Sequence, residues 1–315
     1  MFWQNVAYAG NRFMPVQGSD LAVQVDRLYA FLLIASFVSC VLVIGGLIYF
    51  AIKYRRKSNQ DKTAYISHNN TLEFLWSFIP FVIFMLVFGW GWKLFHDMRN
   101  APSDSMEVNV VAQKWSWDFT YKNGRRSTNE FYVPVNTPVK LIMTSNDVLH
   151  SFFIPSMRVK QDVVPGRYTS LWFHPNQEGE YQVFCTEYCG TGHSAMLAKV
   201  HVLTREKYEE WLQNDPYKGL SLAEMGQKIF NSKCTACHNA SSEKKVGPGL
   251  LGVVGSQRSF IDGTSAIADE NYIRESVLNP NAKVVAGFVP AMPTFAGQLS
   301  EQELMGIVEY LKSLK

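Results

Sequence analysis

Two long stretches without a charged residue constrain this chain more than any other feature of its sequence. The first, Leu28–Ile52, contains 25 residues, and the second, Phe74–Trp92, contains 19. At about 1.5 Å of rise per residue, helices of these lengths suffice to cross a hydrocarbon layer of roughly 30 Å. The alternative, two buried helices of a soluble protein, seldom shows runs this long. We therefore predict a transmembrane hairpin, with a local kink near Pro80.

The charges around these runs predict the orientation of the hairpin. Five basic residues lie between the two runs: Lys53, Arg55, Arg56, Lys57 and Lys62. Positively charged loops remain in the cytoplasm, so both ends of the chain are expected to face outward. We assign the hairpin to residues 27–98 and an outer-face segment to residues 1–26, which lacks the pattern of a removable signal peptide. The net charge is +3 and there is no other long basic run, so a nucleic-acid partner is not expected.

From Met106 onward the pattern changes to short alternating segments separated by Asn, Gly and Pro turns. The predicted strands include Val108–Val110, Trp115–Tyr121, Val139–Met143, Tyr168–Phe173 and Tyr181–Phe184. Such a series favours a β-sandwich or barrel. A helix over Thr204–Asn214 is expected to close this domain, which we place at residues 99–214.

The C-terminal part has the layout of a small all-α domain. After a linker at residues 215–220, residues 221–315 begin with a helical segment that leads into Cys234. They continue through loops rich in Gly and Pro and end with a helix over Ser300–Leu314. We find no internal repeat, so the two extramembrane modules are distinct units.

The residues most suited to metal chemistry lie in the segment CTEYCGTGHSAM, residues 185–196. It contains Cys185, Cys189, His193 and Met196, and His150 stands 35 positions before Cys185. Thiolate, imidazole and thioether groups form a soft ligand set that suits copper, and two thiolates four positions apart can bridge two metal ions. A disulfide between the two cysteines is one alternative. A structural zinc site is another, although zinc rarely binds a thioether.

This region resembles subunit II of the haem-copper cytochrome c oxidases. The resemblance rests on DVLHSFFIP at 147–155, VPGR at 164–167 and the segment 185–196, and it covers roughly residues 20–212. It implies a cupredoxin-like sandwich with a dinuclear copper centre, CuA. The implied ligands are the side chains of His150, Cys185, Cys189, His193 and Met196 and the backbone carbonyl of Glu187. The Glu187 carboxylate would also face a magnesium site shared with subunit I.

The same resemblance assigns roles to two further residues. In KWSWDFTY, residues 114–121, aromatic side chains alternate on one face of a strand, which for most of them indicates core packing. The resemblance implies that Trp115 is the exposed aromatic near CuA through which an external cytochrome c delivers electrons, although Lys114 stands where many relatives have glutamine. It also implies that Glu73 begins a proton pathway into subunit I; a cap at the membrane interface is the alternative.

The motif CTACH at residues 234–238 is typical of c-type haem attachment. Cys234 and Cys237 would form thioether links to the haem, and His238 would bind the iron. A chance motif or a redox dithiol is the alternative. Met292 is the predicted second axial ligand, whereas Met225 and Met305 are predicted to be structural. Residues 221–315 resemble class I cytochromes c, including GPGL at 247–250, where Pro248 would lie against the proximal histidine.

Together these features predict a multidomain membrane protein of the bacterial inner membrane, with its copper and haem domains on the outer face. The resemblance implies that electrons pass from a donor to haem c, then to CuA, and then to subunit I, which reduces oxygen to water coupled to proton translocation. The donor is a soluble cytochrome c or an upstream respiratory complex. The membrane helices contain no histidine cluster for an oxygen-reducing site, so partner oxidase subunits and surrounding lipid are expected. A nitric oxide reductase subunit carrying CuA and a membrane-tethered electron shuttle are the alternatives; a quinol oxidase subunit needs neither motif.

Overall fold

Two long helices form the N-terminal part of the computed structural model, which describes residues 14–62, 64–65 and 67–315. Helix α1 comprises Asp20–Lys53 and begins eight residues before the uncharged run, because the side chain of Ser19 caps its first turn. Helix α2 comprises Asn70–Arg99 and continues through Pro80. Both are long and apolar enough to cross a membrane, and their apolar stretches are not buried within the chain. The two predicted helices are therefore confirmed, while residues 1–13 of the predicted outer-face segment lie outside the described residues.

Ten strands then form two five-stranded sheets. The strands are β1 (Met106–Gln113), β2 (Ser116–Tyr121), β3 (Arg126–Thr128), β4 (Glu130–Pro134), β5 (Val139–Ser145), β6 (His150–Ile154), β7 (Val159–Val163), β8 (Thr169–Phe173), β9 (Gly179–Cys185) and β10 (Leu197–Leu203). One sheet has the order β3-β2-β1-β5-β8 and the other β4-β10-β9-β6-β7. Neighbouring strands are antiparallel except for β1 with β5 and β4 with β10. The predicted β-sandwich is confirmed.

The core of the sandwich consists of the inward side chains of both sheets. Trp117, Phe119 and Tyr121 alternate on the inner face of β2, as their spacing predicts. The ring of Phe119 stacks on that of Phe131 from the facing sheet, with 4.5 Å between the ring centroids. Trp117 meets Phe152 edge to face at 4.9 Å. Aromatic contacts thus join the sheets beside the start of β6, which carries His150.

A short helix closes the sandwich and a helical domain follows it. Helix α3 comprises Arg205–Gln213 and is capped by Thr204. The C-terminal domain contains α4 (Leu222–Ile229), a π-helical turn (Phe230–Cys234), a two-stranded ribbon of β11 (Gln257–Ser259) and β12 (Ser265–Ile267), α5 (Glu270–Leu278) and α6 (Glu301–Ser313). Helices α4 and α6 cross closely and share a second hydrophobic core that includes Phe230 and Tyr310. The predicted haem-domain layout, with its terminal helix, is confirmed.

Candidate metal and haem sites

The soft side chains converge because one loop of the sandwich folds back beside strand β6. Strand β9 ends at Cys185 and β10 begins at Leu197. The backbone N–H of Cys185 donates to the carbonyl of Met196, and that of Thr186 donates to the carbonyl of Ser151. These bonds close the loop against the start of β6, so residues far apart in sequence meet at one end of the sandwich.

Six groups of this loop and of β6 lie in one cluster, which we call the sulfur–histidine site. It consists of the side chains of His150, Cys185, Cys189, His193 and Met196 and the carbonyl oxygen of Glu187. Cys185 Sγ lies 3.8 Å from Cys189 Sγ, 3.9 Å from His150 Nδ1 and 3.3 Å from Glu187 O. Cys189 Sγ lies 3.6 Å from His193 Nδ1 and 3.8 Å from Met196 Sδ. A metal ion between the two sulfurs would be within reach of nitrogen and thioether donors on both sides.

The arrangement of the donor atoms can be compared with the two alternatives, a disulfide bond and a zinc site. Both thiols are free, and their separation of 3.8 Å is well beyond the roughly 2.05 Å of a disulfide bond. His150, Cys185 and Cys189 are buried, and their ligand atoms lie within 4.8 Å of one another. Met196 is fully buried and its sulfur faces the cluster. A thioether beside two thiols and two imidazoles fits copper better than zinc.

The two thiols of the site differ in their tendency to ionise. Burial opposes ionisation of Cys185, but its contacts with His150 and with backbone groups of Ser151 and Glu187 outweigh burial and lower its pKa. Burial and the nearby charge of Cys185 raise the pKa of Cys189. Two adjacent thiolates repel each other, so a bound cation is needed before both can ionise.

Asp147 orients one of the imidazoles, and sequence reasoning assigned it no role. His150 Nε2 lies 2.8 Å from Asp147 Oδ1, while His150 Nδ1 faces Cys185. The carboxylate is held by the backbone N–H groups of Lys114, at 2.7 Å, and Val148, at 2.6 Å. A proton on Nε2 is thereby favoured and Nδ1 is left as a donor atom for metal. The only sequence signal was a carboxylate three positions before the histidine.

The predicted exposure of Trp115 is wrong. Its side chain is 4% exposed, and it lies in the turn before β2 and not in the strand. One reason is the ligand loop, since the backbone at Gly190 and Gly192 approaches the indole ring closely. Cys237 and Val246 of the C-terminal domain pack against the hydrophobic core cluster to which Trp115 belongs. An external protein therefore has no direct access to this ring.

Glu73 lies in the first turn of α2, far in the chain from the sulfur–histidine site. Its Oε1 accepts a hydrogen bond from the backbone N–H of Asn69, and the Asn69 side chain accepts one from Leu72. This is the geometry of a helix cap, the alternative weighed above. These contacts do not test the role of Glu73 in a proton pathway, which stays a prediction.

The CTACH motif borders a large cavity in the C-terminal domain. The cavity has an empty volume of about 1030 Å³ and is lined by Cys234, Cys237, His238, Met292 and apolar side chains that include Phe230, Tyr272 and Phe288. Met225 is buried in the helical core and Met305 is 45% exposed on α6. Neither of them lines the cavity. Of the three candidate methionines, Met292 alone shares the cavity with His238.

The surroundings of His238 suit an iron ligand. Its Nδ1 lies 2.8 Å from the carbonyl oxygen of Pro248, which favours a proton there and leaves Nε2 as the donor atom. A Cβ atom at Gly247 would lie 2.4 Å from the ring, so only glycine fits beside it. Burial lowers the pKa of His238 and keeps the imidazole neutral. An apolar cavity with two thiols at its edge, an imidazole and a thioether fits a covalently bound haem.

Comparison with known families agrees with this architecture. The family model described as the transmembrane domain of cytochrome c oxidase subunit II matches residues 7–94. The model of the periplasmic domain of the same subunit matches residues 125–203, and the model of cytochrome c matches residues 223–315. The fold and the matches define a class: a membrane-anchored electron-transfer protein with an outer sandwich and a C-terminal cytochrome c domain.

Individual relatives narrow this class to one family. The chain is 28% identical over 306 residues to cytochrome c oxidase subunit 2 of Alkalihalophilus pseudofirmus, covering 92% of this chain and 86% of the relative. It is 30% identical to cytochrome c oxidase subunit 2 of Synechocystis sp., covering 63% of this chain and 74% of the relative. A crystal structure of the periplasmic domain of subunit II from Bradyrhizobium japonicum is 25% identical, with a TM-score of 0.35, and covers 36% of this chain and 95% of that chain. This chain belongs to the family of cytochrome c oxidase subunit 2, the electron-transfer subunit of that enzyme, and carries an additional cytochrome c domain.

Proposed function

We propose that this chain receives electrons at its cytochrome c domain and passes them through the sulfur–histidine site to subunit I of a proton-translocating oxidase. One observation carries the proposal. Two thiols, two imidazoles and a thioether form one cluster in which neighbouring donor atoms lie less than 4 Å apart, and the same chain contains a cavity lined by the CTACH motif. When bound, a dinuclear CuA centre and haem c would supply one-electron redox chemistry at these two places.

Each residue of the sulfur–histidine site would have its own role in binding two copper ions. The thiolates of Cys185 and Cys189 would hold the pair, with His150, which contacts Cys185, and His193, which contacts Cys189, as the imidazole ligands. Met196 and the Glu187 carbonyl would complete the set as weaker donors. Asp147 keeps His150 in the correct tautomer. The Glu187 carboxylate is proposed to face a magnesium ion shared with subunit I.

In the C-terminal domain, Cys234 and Cys237 are the proposed haem attachment residues, and His238 and Met292 are the proposed axial ligands. The Pro248 carbonyl orients His238, and the apolar wall of the cavity excludes water from the bound group. Because Trp115 is covered, the external donor, a cytochrome c or an upstream complex, delivers its electrons to this domain.

The two apolar helices anchor the chain in the cell membrane of a bacterium, with both extramembrane domains on the outer face. The basic residues at the end of α1 and after it favour a cytoplasmic position for the connecting loop. The apolar side chains exposed along both helices would contact lipid and subunit I, among other oxidase subunits. Glu73 is proposed to lie at the start of a proton pathway into subunit I.

Purification of the full complex from membranes tests this function. We expect a large multi-helix haem protein to co-purify, together with the absorption of low-spin haem c and the near-infrared band of a mixed-valence copper pair. Absence of both absorptions from a metal-replete preparation would contradict the proposal. A solitary chain would indicate a tethered shuttle, and a catalytic subunit with iron in place of copper at its active site would indicate a nitric oxide reductase.

The variant Cys185→Ser tests the ligand assignment. We expect it to lose the near-infrared copper band and to keep the haem c spectrum, because one bridging sulfur is removed while the haem cavity is untouched. Cys40→Ser is the matched control, since Cys40 lies exposed on α1, and it should retain both spectra. An unchanged copper spectrum in Cys185→Ser would show that the assignment is wrong.

A further inference from the structure

The C-terminal domain is held against the sandwich by an ion pair just before the haem-attachment motif. Lys233 Nζ lies 2.5 Å from Asp118 Oδ1 of strand β2, and the two side chains are only 12% and 19% exposed. Lys233 directly precedes Cys234 in the π-helical turn. The pair therefore joins the segment that would carry the haem to the strand that begins beside Trp115.

Neighbouring residues hold both partners of this contact in place. Thr128 Oγ1 donates to Asp118 Oδ1 at 2.5 Å across the β2–β3 ladder. Asn129 Nδ2 donates to the carbonyl of Ser232 at 3.1 Å, while its Oδ1 accepts from the backbone N–H of Trp117 at 2.9 Å. Asn129 has φ +58°, a conformation that asparagine adopts more readily than most residues. Thus β2 and the β3–β4 connection form a prearranged polar seat for residues 232 and 233.

A second set of contacts involves a different segment of the C-terminal domain. The side-chain amides of Gln113 and Gln298 bond to each other at 3.0 and 3.1 Å, and Arg126 donates to the Gln298 carbonyl at 3.1 Å. Gln113 is almost fully buried. Two separate groups of polar contacts restrict both the distance and the rotation of one domain relative to the other. A partly buried charge pair with fixed hydrogen-bonding neighbours contributes specificity of docking more than general attraction.

We propose that Asp118 and Lys233 are positioning residues, which hold the haem-attachment segment of the cytochrome domain in a fixed place against the sandwich that carries the sulfur–histidine site. This inference rests on the proposed function, because it concerns electron transfer between those two places. Electron transfer through protein weakens steeply with distance, so a domain free to move on the 215–220 linker would transfer electrons slowly. Neither residue touches the reacting groups; both act through the placement of residues 232–238.

Charge reversal tests the seat in the purified complex. Lys233→Glu opposes two carboxylates in a partly buried contact, and we expect electron redistribution from haem to copper after flash reduction to slow by about tenfold or more. The swapped pair, Asp118→Lys with Lys233→Glu, should recover most of the rate. Lys140→Glu is the matched control: it breaks the more exposed Lys140–Glu107 pair on the sandwich and should leave the rate unchanged. The haem and copper spectra should be the same in all variants.

Amide hydrogen exchange of the full chain supplies a readout that does not depend on bound metal or haem. In Lys233→Glu we expect the amide exchange rates of residues 126–129 and 230–238 to increase about tenfold. The rates should return to the wild-type values in the swapped pair and stay unchanged in the control. Unchanged rates and unchanged exchange in Lys233→Glu would overturn the inference. If the wild-type complex lacked the copper or haem absorption, the proposed function would fail, and the exchange result would still decide whether the seat exists.

Discussion

At the scale of single residues, the close approach of backbone to Trp115 shapes the sulfur–histidine site. Gly192 has an ordinary φ of −89°, so backbone conformation does not explain the absence of a side chain. A Cβ atom there would instead lie 2.4 Å from Cδ2 of the Trp115 ring. The next residue is His193, one of the proposed ligands. A displacement of this glycine is therefore transmitted directly to the imidazole.

We predict that Gly192→Ala destabilises the sandwich by about 1–3 kcal/mol, because the ring or the loop must move to admit the methyl group. The copper spectrum should also change as His193 shifts. Thermal unfolding and electron paramagnetic resonance of the purified protein measure the two effects. Ser194→Ala, an exposed position in the same loop, is the control. Equal stability and an unaltered spectrum in Gly192→Ala would show that the loop absorbs the change.

At the scale of secondary-structure elements, the C-terminal domain depends on the crossing of α4 and α6. Both helices begin with a complete capping box, Ser221 with Glu224 and Ser300 with Glu303, so their starting points are well defined. At the crossing, a Cβ atom on Gly226 would lie 1.8 Å from the carbonyl oxygen of Gly306. The obstacle is backbone, which cannot rotate away as a side chain can.

We predict that Gly226→Ala destabilises the C-terminal domain by about 3 kcal/mol or more, since the two helices must separate. Circular dichroism during thermal unfolding of the full chain should show an earlier helical transition. Gln227→Ala, exposed on the same helix, should have little effect. A normal transition in Gly226→Ala would mean that the crossing tolerates a wider spacing than the structure indicates.

At the scale of the whole molecule, both long helices are joined to the sandwich by polar contacts, α1 near its start and α2 near its end. Arg158 Nε and Nη2 each lie 2.9 Å from a carboxylate oxygen of Asp26 on α1, and the guanidinium also donates to the carbonyls of Pro15 and Pro155. At the end of α2, the Trp172 indole donates to the Asp97 carbonyl at 3.0 Å. The orientation of the sandwich, and with it of the sulfur–histidine site, relative to the two helices is therefore set by these contacts.

We predict that Arg158→Ala destabilises the protein by about 3 kcal/mol, because it leaves the Asp26 carboxylate partly buried without its partner. The two side chains are only 7% and 16% exposed, so solvent screening is limited. Chemical denaturation in detergent, followed by tryptophan fluorescence, measures the change. Lys160→Ala, exposed on β7, should be neutral. A neutral result for Arg158→Ala would show that the other contacts of α1 suffice.

Sequence reasoning was most successful where the signal is local. Three signals depend on neighbours within a few positions: the uncharged runs, the alternation in β2 and the helix start at Thr204. The helices and strands that they predict are present. It was less successful with helix ends: α1 begins at Asp20 because Ser19 caps it, a signal overlooked beside the apolar run. The clustering of Cys185, Cys189, His193 and Met196 was also foreseeable, since one short loop carries all four.

The amino-acid sequence by itself determined which segments are apolar enough for a membrane, which alternate as strands, and which soft ligands lie close together in the chain. Only the tertiary structure decided which residues from distant parts of the chain contact each other. The burial of Trp115 and the contact of Lys233 with Asp118 depend on residues far away in the chain, and no sequence pattern near them indicates either one. The physical reason is that periodicity and capping act over a few residues, whereas burial and long-range pairing depend on how whole elements and domains pack together.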